Sequence, residues 1–208
     1  TGENVINIYY TKRNDLSYTV NYLEKGTNKV IFTQSVKQNM TFKDIVELAN
    51  EVIAINGYNY DSGDKESLNI TTGENVINIY YTKRTDLSYK VNYLEKDTDR
   101  VLHEQKVQDN MTFESTVTSS DEVIDIDGFN YDSVDKESMT ITTGENIINI
   151  YYTKKTDLSY KVNYLEKDTN KVLHEQKTQG NMTFESVVTS ADEVIAVDGY
   201  NYYSVDKD

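Results

Sequence analysis

The chain contains no cysteine, no proline and no tryptophan. Without cysteine, neither disulfides nor thiolate metal sites can support its folding. No run of apolar residues is long enough to cross a bilayer, and the N-terminal TGENVINIYY lacks the basic start and apolar stretch of a secretion signal. The residues that are abundant, Asn, Asp, Thr and Tyr, favour strands and polar turns.

Basic residues are also scarce relative to acidic ones. The sequence has 21 Lys and Arg against 35 Asp and Glu, a formal net charge of −14. This charge repels nucleic-acid phosphates and anionic lipids. We therefore expect no nucleic-acid partner and no membrane insertion in this segment. A hydrophobic fraction of 37% is enough for small cores but makes a single large core improbable.

An internal repeat organises the whole sequence. Gly2, Gly73 and Gly144 each open the same GEN segment, 71 positions apart, and DLSYKVNYLEKDT recurs unchanged at two of the three copies. We predict four parts from this offset. Residues 1–14 are the last strand of a preceding repeat, 15–85 the first repeat, 86–156 the second repeat, and 157–208 a third repeat without its last strands.

Most of the repeat has the two-residue period of strands. In the first strand, for example, Tyr18 and Val20 alternate with Thr19 and Asn21. A polar turn then leads into a second strand, which predicts a hairpin. The predicted strands of the first repeat cover residues 16–22, 30–37, 55–62, 67–71 and 76–82.

One segment of the repeat, TFKDIVELANEVI at residues 41–53, predicts a helix instead. Thr41 can cap a helix with Asp44 three residues later. The equivalent segments of the other repeats carry Thr and Ser where the first has helix formers, so shorter helices are expected there. The apolar residues that share one helical face are Phe42, Ile45, Val46, Ala49 and Val52.

The last strand of each copy carries candidate ligand contacts. Ile77, Ile79 and Tyr81 share one face, which leaves Asn78 and Tyr80 on the other. Tyrosine rings can stack on sugars while Asn side chains bond to hydroxyls, although packing within the sheet is the alternative role. The candidate exposed contacts are Tyr9, Tyr80, Tyr151, Asn7, Asn78 and Asn149.

Residues 1–14 have no repeat before them in this chain, and the third repeat stops before its own last strand. Donor-strand addition would explain both features, because the first strand of one molecule would complete the third repeat of the next. A cut from a longer repetitive fibre is the other explanation. The candidate donor residues are Val5, Ile6, Ile8 and Tyr10.

The opening YxVNYLE strand, the central GYNY or GFNY and the closing NVINIYYTK strand resemble the mucin-binding-protein (MucBP) repeats of Gram-positive bacterial surface adhesins. The resemblance covers all three copies. It implies an α+β fold of tandem ubiquitin-like β-grasp repeats (ββαβββ) with parallel first and last strands. Because a chain would enter such a repeat at one end and leave it at the other, we predict repeats stacked end to end as an elongated rod. It also implies an extracellular location at the bacterial cell surface and binding of host glycoproteins such as mucin.

No arrangement of residues predicts catalysis. His103 and His174 occupy equivalent second-strand positions where the first repeat has Phe32, and no cysteine or second histidine in the repeat could complete a site. No Ser-His-Asp constellation recurs at usable spacing. We therefore expect the protein not to be an enzyme and to use no cofactor or metal.

The leading functional prediction is a repetitive extracellular surface or fibre-forming protein that acts as an adhesive stalk. Its partners would be other copies of itself, joined head to tail by strand donation, or host glycoproteins. The sequence is compatible with two alternatives. One is a passive spacer that holds a separate ligand-binding head, and the other is a mucin- or glycan-binding module that acts as a monomer.

Overall fold

The computed structural model describes residues 2–206, and strands make up 48% of the chain. The strands are β1 Leu16–Glu24, β2 Val30–Met40, β3 Ile45–Glu47, β4 Tyr58–Gly63, β5 Ser67–Asn69, β6 Val76–Lys83, β7 Leu87–Glu95, β8 Val101–Met111, β9 Thr116–Thr118, β10 Phe129–Val134, β11 Ser138–Thr140, β12 Ile147–Lys154, β13 Leu158–Leu165 and β14 Val172–Met182. Short 3₁₀ helices cover Leu48–Asn50, Ser119–Glu122 and Ser190–Glu193. Residues 2–206 contain no α-helix.

The predicted α+β fold, with its ββαβββ β-grasp repeats, is therefore wrong. The backbone at Lys43 has a φ of 71°, and the equivalent Glu114 and Glu185 have φ values of 62° and 63°. Such left-handed residues cannot continue a right-handed helix. The two residues predicted to cap a helix form a turn instead. The Thr41 N–H donates to the Asp44 carboxylate at 2.8 Å, and the Asp44 N–H donates to the Thr41 carbonyl at 2.9 Å.

After this turn the chain is extended as β3, which pairs antiparallel with β5. Val46 is 7% exposed whereas its neighbour Ile45 is 62% exposed, the alternation of a strand. The helical face predicted for Ile45 and Val46 together does not form. Pairing with the distant segment Ser67–Asn69 satisfies backbone groups that a helix would have satisfied locally.

The chain divides into two compact units. The first comprises Thr1–Tyr89, Gln108–Val117 and Thr140–Asn146, and the second Lys90–Val107, Thr118–Met139 and Ile147–Asp208. In the first unit, four strands form a sheet in the order β2-β1-β6-β4. Strands β1 and β6 are parallel, with six consecutive pairs from Thr19 opposite Val76 to Glu24 opposite Tyr81.

One face of this sheet carries the core of the first unit. The predicted alternation of the first strand is confirmed, because its inward side chains are buried while those between them are partly or fully exposed. In β6 the same alternation buries every second residue. The buried core residues are Leu16, Tyr18, Val20, Tyr22, Val46, Leu48, Ile70, Ile77, Ile79 and Tyr81.

A buried asparagine in the GEN segment fixes the start of β6. The Asn75 amide group donates to the carbonyls of Ser17 and Thr71 at 3.0 Å each, and its Oδ1 accepts the Thr71 N–H at 2.8 Å. Its side chain thus closes the turn and ties it to β1. The register of the parallel pair follows from this anchor.

The junction between the first and second repeats lies inside the first unit. The Arg84 N–H donates to the Gly57 carbonyl at 2.9 Å, and the Phe113 N–H donates to the Arg84 carbonyl at 2.8 Å. The Phe113 ring packs edge-on against Tyr58, with ring centroids 5.6 Å apart. A Cβ on Gly57 would lie 2.3 Å from this ring, so the position admits only glycine.

The second unit contains most of a second sheet, in the order β10-β12-β7-β8, and the β13–β14 hairpin of the third repeat. Strands β7 and β12 are parallel from Lys90 opposite Ile147 to Glu95 opposite Tyr152. The junction with the third repeat repeats the arrangement of the first unit, because Phe184 packs on Phe129 with ring centroids 5.4 Å apart.

At one pair of equivalent positions, the two complete repeats carry side chains of different size. In the first, a Cβ on Gly63 would lie 1.8 Å from Leu48, so the large leucine requires the glycine. The second repeat has Ser119 and Val134 there, a small residue with a larger one. Ser119 is fully buried, and its hydroxyl has no hydrogen-bond partner among residues 2–206.

Replacing Ser119 by alanine is therefore expected to stabilise the second repeat by about 1 kcal/mol, because it removes a buried hydroxyl without a partner. Denaturant unfolding of the chain would measure the change. The exposed neighbour provides the control, since Ser120→Ala should leave the free energy of unfolding unchanged. A loss of stability in Ser119→Ala would show that the hydroxyl makes a favourable contact.

The core tyrosines predict a loss of stability in alkali. The Tyr18 hydroxyl donates to Glu51 Oε1 at 2.8 Å, and burial together with this bond raises the pKa of Tyr18 to about 12. Because the folded-state pKa is raised, the stabilisation is complete below pH 10 and is lost as the pH rises towards 12. The loss should reach about 2 kcal/mol for this group. Tyrosinate absorbance and circular dichroism against pH would measure it.

Tyr18→Phe is the matched comparison for this prediction. The variant lacks the titrating group, so its free energy of unfolding should fall less between pH 10 and 12 than that of the original chain. Equal losses in the two proteins would contradict the linkage to Tyr18.

Candidate functional site

A row of polar side chains crosses the outer face of the first sheet, opposite its core. Gln34 donates to Asn21 Oδ1 at 2.6 Å, and Asn21 donates to Asn78 Oδ1 at 2.8 Å. Asn78 in turn donates to Asp64 Oδ2 at 3.0 Å. We call these four residues the amide row. It connects β2, β1 and β6 and ends at the residue that follows β4.

The second unit has the same row at equivalent positions. Gln105 donates to Asn92 at 2.7 Å, Asn92 to Asn149 at 2.8 Å, and Asn149 to Asp135 at 3.2 Å. The row uses one hydrogen of each side-chain amide, which leaves the second hydrogen directed to solvent or to a ligand.

Tyr80 lies on the same face as Asn78, opposite Leu23 in the neighbouring parallel strand. It is partly buried, and its hydroxyl makes no hydrogen bond within the described part of the chain. Beside this strand, Lys25 Nζ and Asp61 form an ion pair at 2.6 Å. The hydrogen bond from Lys25, with a second from Ser62, lowers the pKa of Asp61.

Tyr151 and Asn149 share the corresponding face of β12, beside an ion pair of 2.7 Å between Lys96 and Asp132. The structure therefore brings each predicted Tyr and Asn together in the two complete repeats. It does not do so for Tyr9 and Asn7, which lie in the exposed segment before β1, outside any strand.

The third repeat contains an open groove instead of a closed core. The groove has a volume of about 550 Å³. Val162 and Tyr164 line it and are partly exposed, whereas the equivalent Val91 and Tyr93 are buried beneath β12. Its other apolar lining residues include Val194, Ile195, Tyr200, Tyr202 and Val205.

The candidate donor residues lie in an unpaired, exposed segment. No residue from Gly2 to Asn14 belongs to a strand, and all are exposed. Ile8 is 71% exposed, while the equivalent Ile79 in β6 is fully buried. Near its end, the segment contacts the first repeat through a hydrogen bond in which the Phe42 N–H donates to the Arg13 carbonyl at 2.8 Å.

Each of the two histidines packs on a tyrosine of the neighbouring strand. His103 and His174 lie edge-on to Tyr93 and Tyr164, with ring centroids 5.4 Å apart in both cases. Phe32 packs in the same way on Tyr22, at 5.7 Å. In the second and third repeats, an imidazole thus makes the edge contact that the phenyl ring of Phe32 makes in the first.

Within residues 2–206, no group of three or more His, Asp or Glu side chains is arranged to hold a metal ion. No helix of this part of the chain is long and apolar enough to span a membrane.

Two features of the site were not predicted from the sequence. The amide row extends beyond the predicted Asn78 to Gln34 and Asn21, and the Lys25–Asp61 pair flanks it. Recurrence at the 71-residue offset could have indicated the row, since Gln and Asn recur in all three repeats at these positions. Which strands lie side by side could not be read from recurrence alone.

Together these features define tandem, strand-built repeats with a polar outer face. No known protein family and no curated protein matches the sequence. Among solved structures, the chain is similar to Streptococcal High Identity Repeats in Tandem (SHIRT) domains 3-4 from a cell surface protein, at 12% identity over 66% of this chain and 98% of that one, with a TM-score of 0.26. It is also similar to Mub-RV, at 11% identity over 67% of this chain and 99% of that one, again with a TM-score of 0.26. At these scores the similarities establish neither the fold nor the function of this chain.

Proposed function

We propose that the chain is a segment of a repetitive extracellular surface protein that acts as an adhesive stalk. The observation that carries the proposal is the parallel pair in each complete repeat. The chain enters a repeat through the first strand of the pair and leaves through the second, six paired residues long in both cases.

This arrangement suits a segment that bears tension. When force pulls on the two ends of a repeat, the parallel strands are loaded along their axes, so their evenly spaced hydrogen bonds share the load. The antiparallel β13–β14 hairpin has no such parallel partner among the described residues and would open one bond at a time.

Single-molecule pulling of the whole chain from its two ends tests this role. We expect two high-force unfolding events, one for each parallel pair, each lengthening the chain by roughly 200 Å. The β13–β14 hairpin is the internal control, because it should open at lower force. Opening of all parts at one low force would contradict a load-bearing role.

The adhesive part of the proposal places contact with host glycoproteins such as mucin on the outer face. A partly exposed tyrosine beside free amide hydrogens can stack on a sugar ring and bond to its hydroxyls. Tyr80 with Asn78, and Tyr151 with Asn149, provide this combination twice.

Binding of the chain to immobilised mucin tests the adhesive contact. The double variant Tyr80→Ala and Tyr151→Ala should lose most of the binding. Tyr60→Ala with Tyr131→Ala is the matched control, because these tyrosines are exposed but pack edge-on against core tyrosines. If the original chain binds no mucin while both parallel pairs resist force, the segment is a passive spacer.

A further inference from the structure

A polar cleft lies beside the amide row on the outer face of the first sheet. It has a volume of about 280 Å³, which is large enough for a single sugar ring. Its lining includes Ser17 and Thr19 of β1, Glu74 just before β6, and Asn21 and Gln34 of the amide row. Because three neighbouring segments of the sheet contribute to it, the register of the strands fixes which groups meet in the cleft.

Three side chains of the cleft have no bonding partner within residues 2–206. The hydroxyls of Ser17 and Thr19 and the carboxylate of Glu74 make neither a hydrogen bond nor an ion pair in this part of the chain. Asn21 and Gln34 each keep one amide hydrogen that the row does not use. Donors and acceptors therefore line the same small volume. A ligand with several adjacent hydroxyls matches this mixture, since each hydroxyl both donates and accepts.

The charge of the cleft indicates which kind of sugar it takes. Among the described residues, Glu74 is the one charged group in its lining, and it is exposed. The carboxylate of an anionic sugar would be repelled by that of Glu74. A hydroxyl of an uncharged sugar can instead donate to the Glu74 carboxylate, a charge-assisted hydrogen bond that is stronger than one between neutral groups.

We infer that this cleft of the first repeat binds an uncharged sugar residue of a glycan chain. This binding position rests on the proposed adhesive contact of the outer face and adds a second sugar to it. Val76, which also lines the cleft, and Tyr80 are four residues apart in β6, a distance of about 13 Å. A short oligosaccharide that lies along β6 can therefore place one ring over Tyr80 and another in the cleft, with Asn78 between them.

The second repeat has the amide row but not the threonine of the cleft. Lys90 takes the position of Thr19, and it pairs with Ile147 as Thr19 pairs with Val76. A lysine side chain is longer and donates hydrogen bonds without accepting any, whereas a threonine hydroxyl does both. The third repeat also has a lysine there, Lys161. We therefore expect the uncharged sugar to bind in the cleft of the first repeat and not at the equivalent position of the second.

An NMR titration of the isotope-labelled whole chain with the methyl glycosides of galactose and N-acetylgalactosamine tests the inference. We expect shifts of the backbone signal of Thr19 and of the side-chain amide signals of Asn21 and Gln34. The equivalent amides of Asn92 and Gln105 are the internal control and should shift little. N-acetylneuraminic acid, an anionic sugar, should shift the cleft signals less at the same concentration, because Glu74 repels it.

Two substitutions at residue 19 separate a lost contact from a misfolded sheet. Thr19→Val removes the hydroxyl at nearly constant volume and should weaken binding by about threefold to tenfold, the effect of one uncharged hydrogen bond. Thr19→Lys should abolish the shifts, and the fold accommodates it because Lys90 occupies the same place in β7. Thr33→Val is the matched control and should leave binding unchanged, since Thr33 is exposed and lies outside the cleft.

Several outcomes would overturn the cleft as a binding position. They are the absence of shifts with both glycosides, shifts that persist in Thr19→Lys, and equal shifts at Asn92 and Gln105. In each case, mucin binding that depends on Tyr80 and Tyr151 would leave the adhesive contact itself intact. Larger shifts with N-acetylneuraminic acid would overturn the assignment to uncharged sugars. A chain that binds neither the glycosides nor mucin would overturn both the cleft and the adhesive contact.

Discussion

Asn75→Ala is expected to lower the free energy of unfolding of the first repeat by about 2–4 kcal/mol, because it removes several buried hydrogen bonds at once and leaves their partners unsatisfied. The Asn75 side chain is 6% exposed and bonds to Ser17 in β1 as well as to the turn around Thr71. Its loss should also weaken the parallel pair under tension, since the start of β6 is no longer held.

The sequence provides its own control for this change. Asn4 lies in the identical GEN segment but is exposed and outside any strand. Asn4→Ala should therefore leave the unfolding of the free chain unchanged, as measured by denaturant titration at low protein concentration. Equal effects of the two changes would show that the segment contributes through local turn preference and not through its bonds to β1.

Gly57→Ala is expected to destabilise the first unit by about 2–4 kcal/mol, from a left-handed backbone that disfavours a side chain and from overpacking against a ring. The φ of Gly57 is 81°, and a Cβ there would lie 2.3 Å from Phe113. The change acts on the contact between two repeats and not on the core of either.

Gly199→Ala separates the two causes, because Gly199 has nearly the same φ but no neighbour within 4 Å. Gly199→Ala should cost only about 1–2 kcal/mol, the backbone contribution. Combining Phe113→Ala with Gly57→Ala should cost less than the sum of the two single changes, since the ring that the new Cβ would meet is absent. Strict additivity of these two changes would contradict the contact.

Much of the strand pattern could be predicted from the sequence. Alternation in LSYTVNYLE and VINIYY correctly indicates which side chains are buried, because residues with a period of two share a face of any sheet. The parallel pairing of the first and last strands, which the family resemblance implied, is present as well. The alternation required no knowledge of the neighbouring strands, whereas the pairing came from the resemblance and not from the pattern of the residues.

The helix prediction failed because local signals were compatible with two structures. The Thr41–Asp44 pair caps a turn as well as it caps a helix, and Ile45 with Val46 fits either period over so short a segment. The competing β5, whose residues lie 20 to 24 positions from their partners in β3, decides the outcome by pairing with β3. A prediction made from one segment alone does not take into account a pairing strand that is distant in sequence.

The sequence by itself determined the repeat, its offset, the buried alternation within strands and the identity of residues 2–13 with a core strand. Only the tertiary structure decided that β6 lies between β1 and β4 and that the Phe113 ring packs directly over Gly57. The reason is that periodicity reports which face of a segment is apolar, whereas register, junctions and grooves depend on contacts between segments that are distant in sequence.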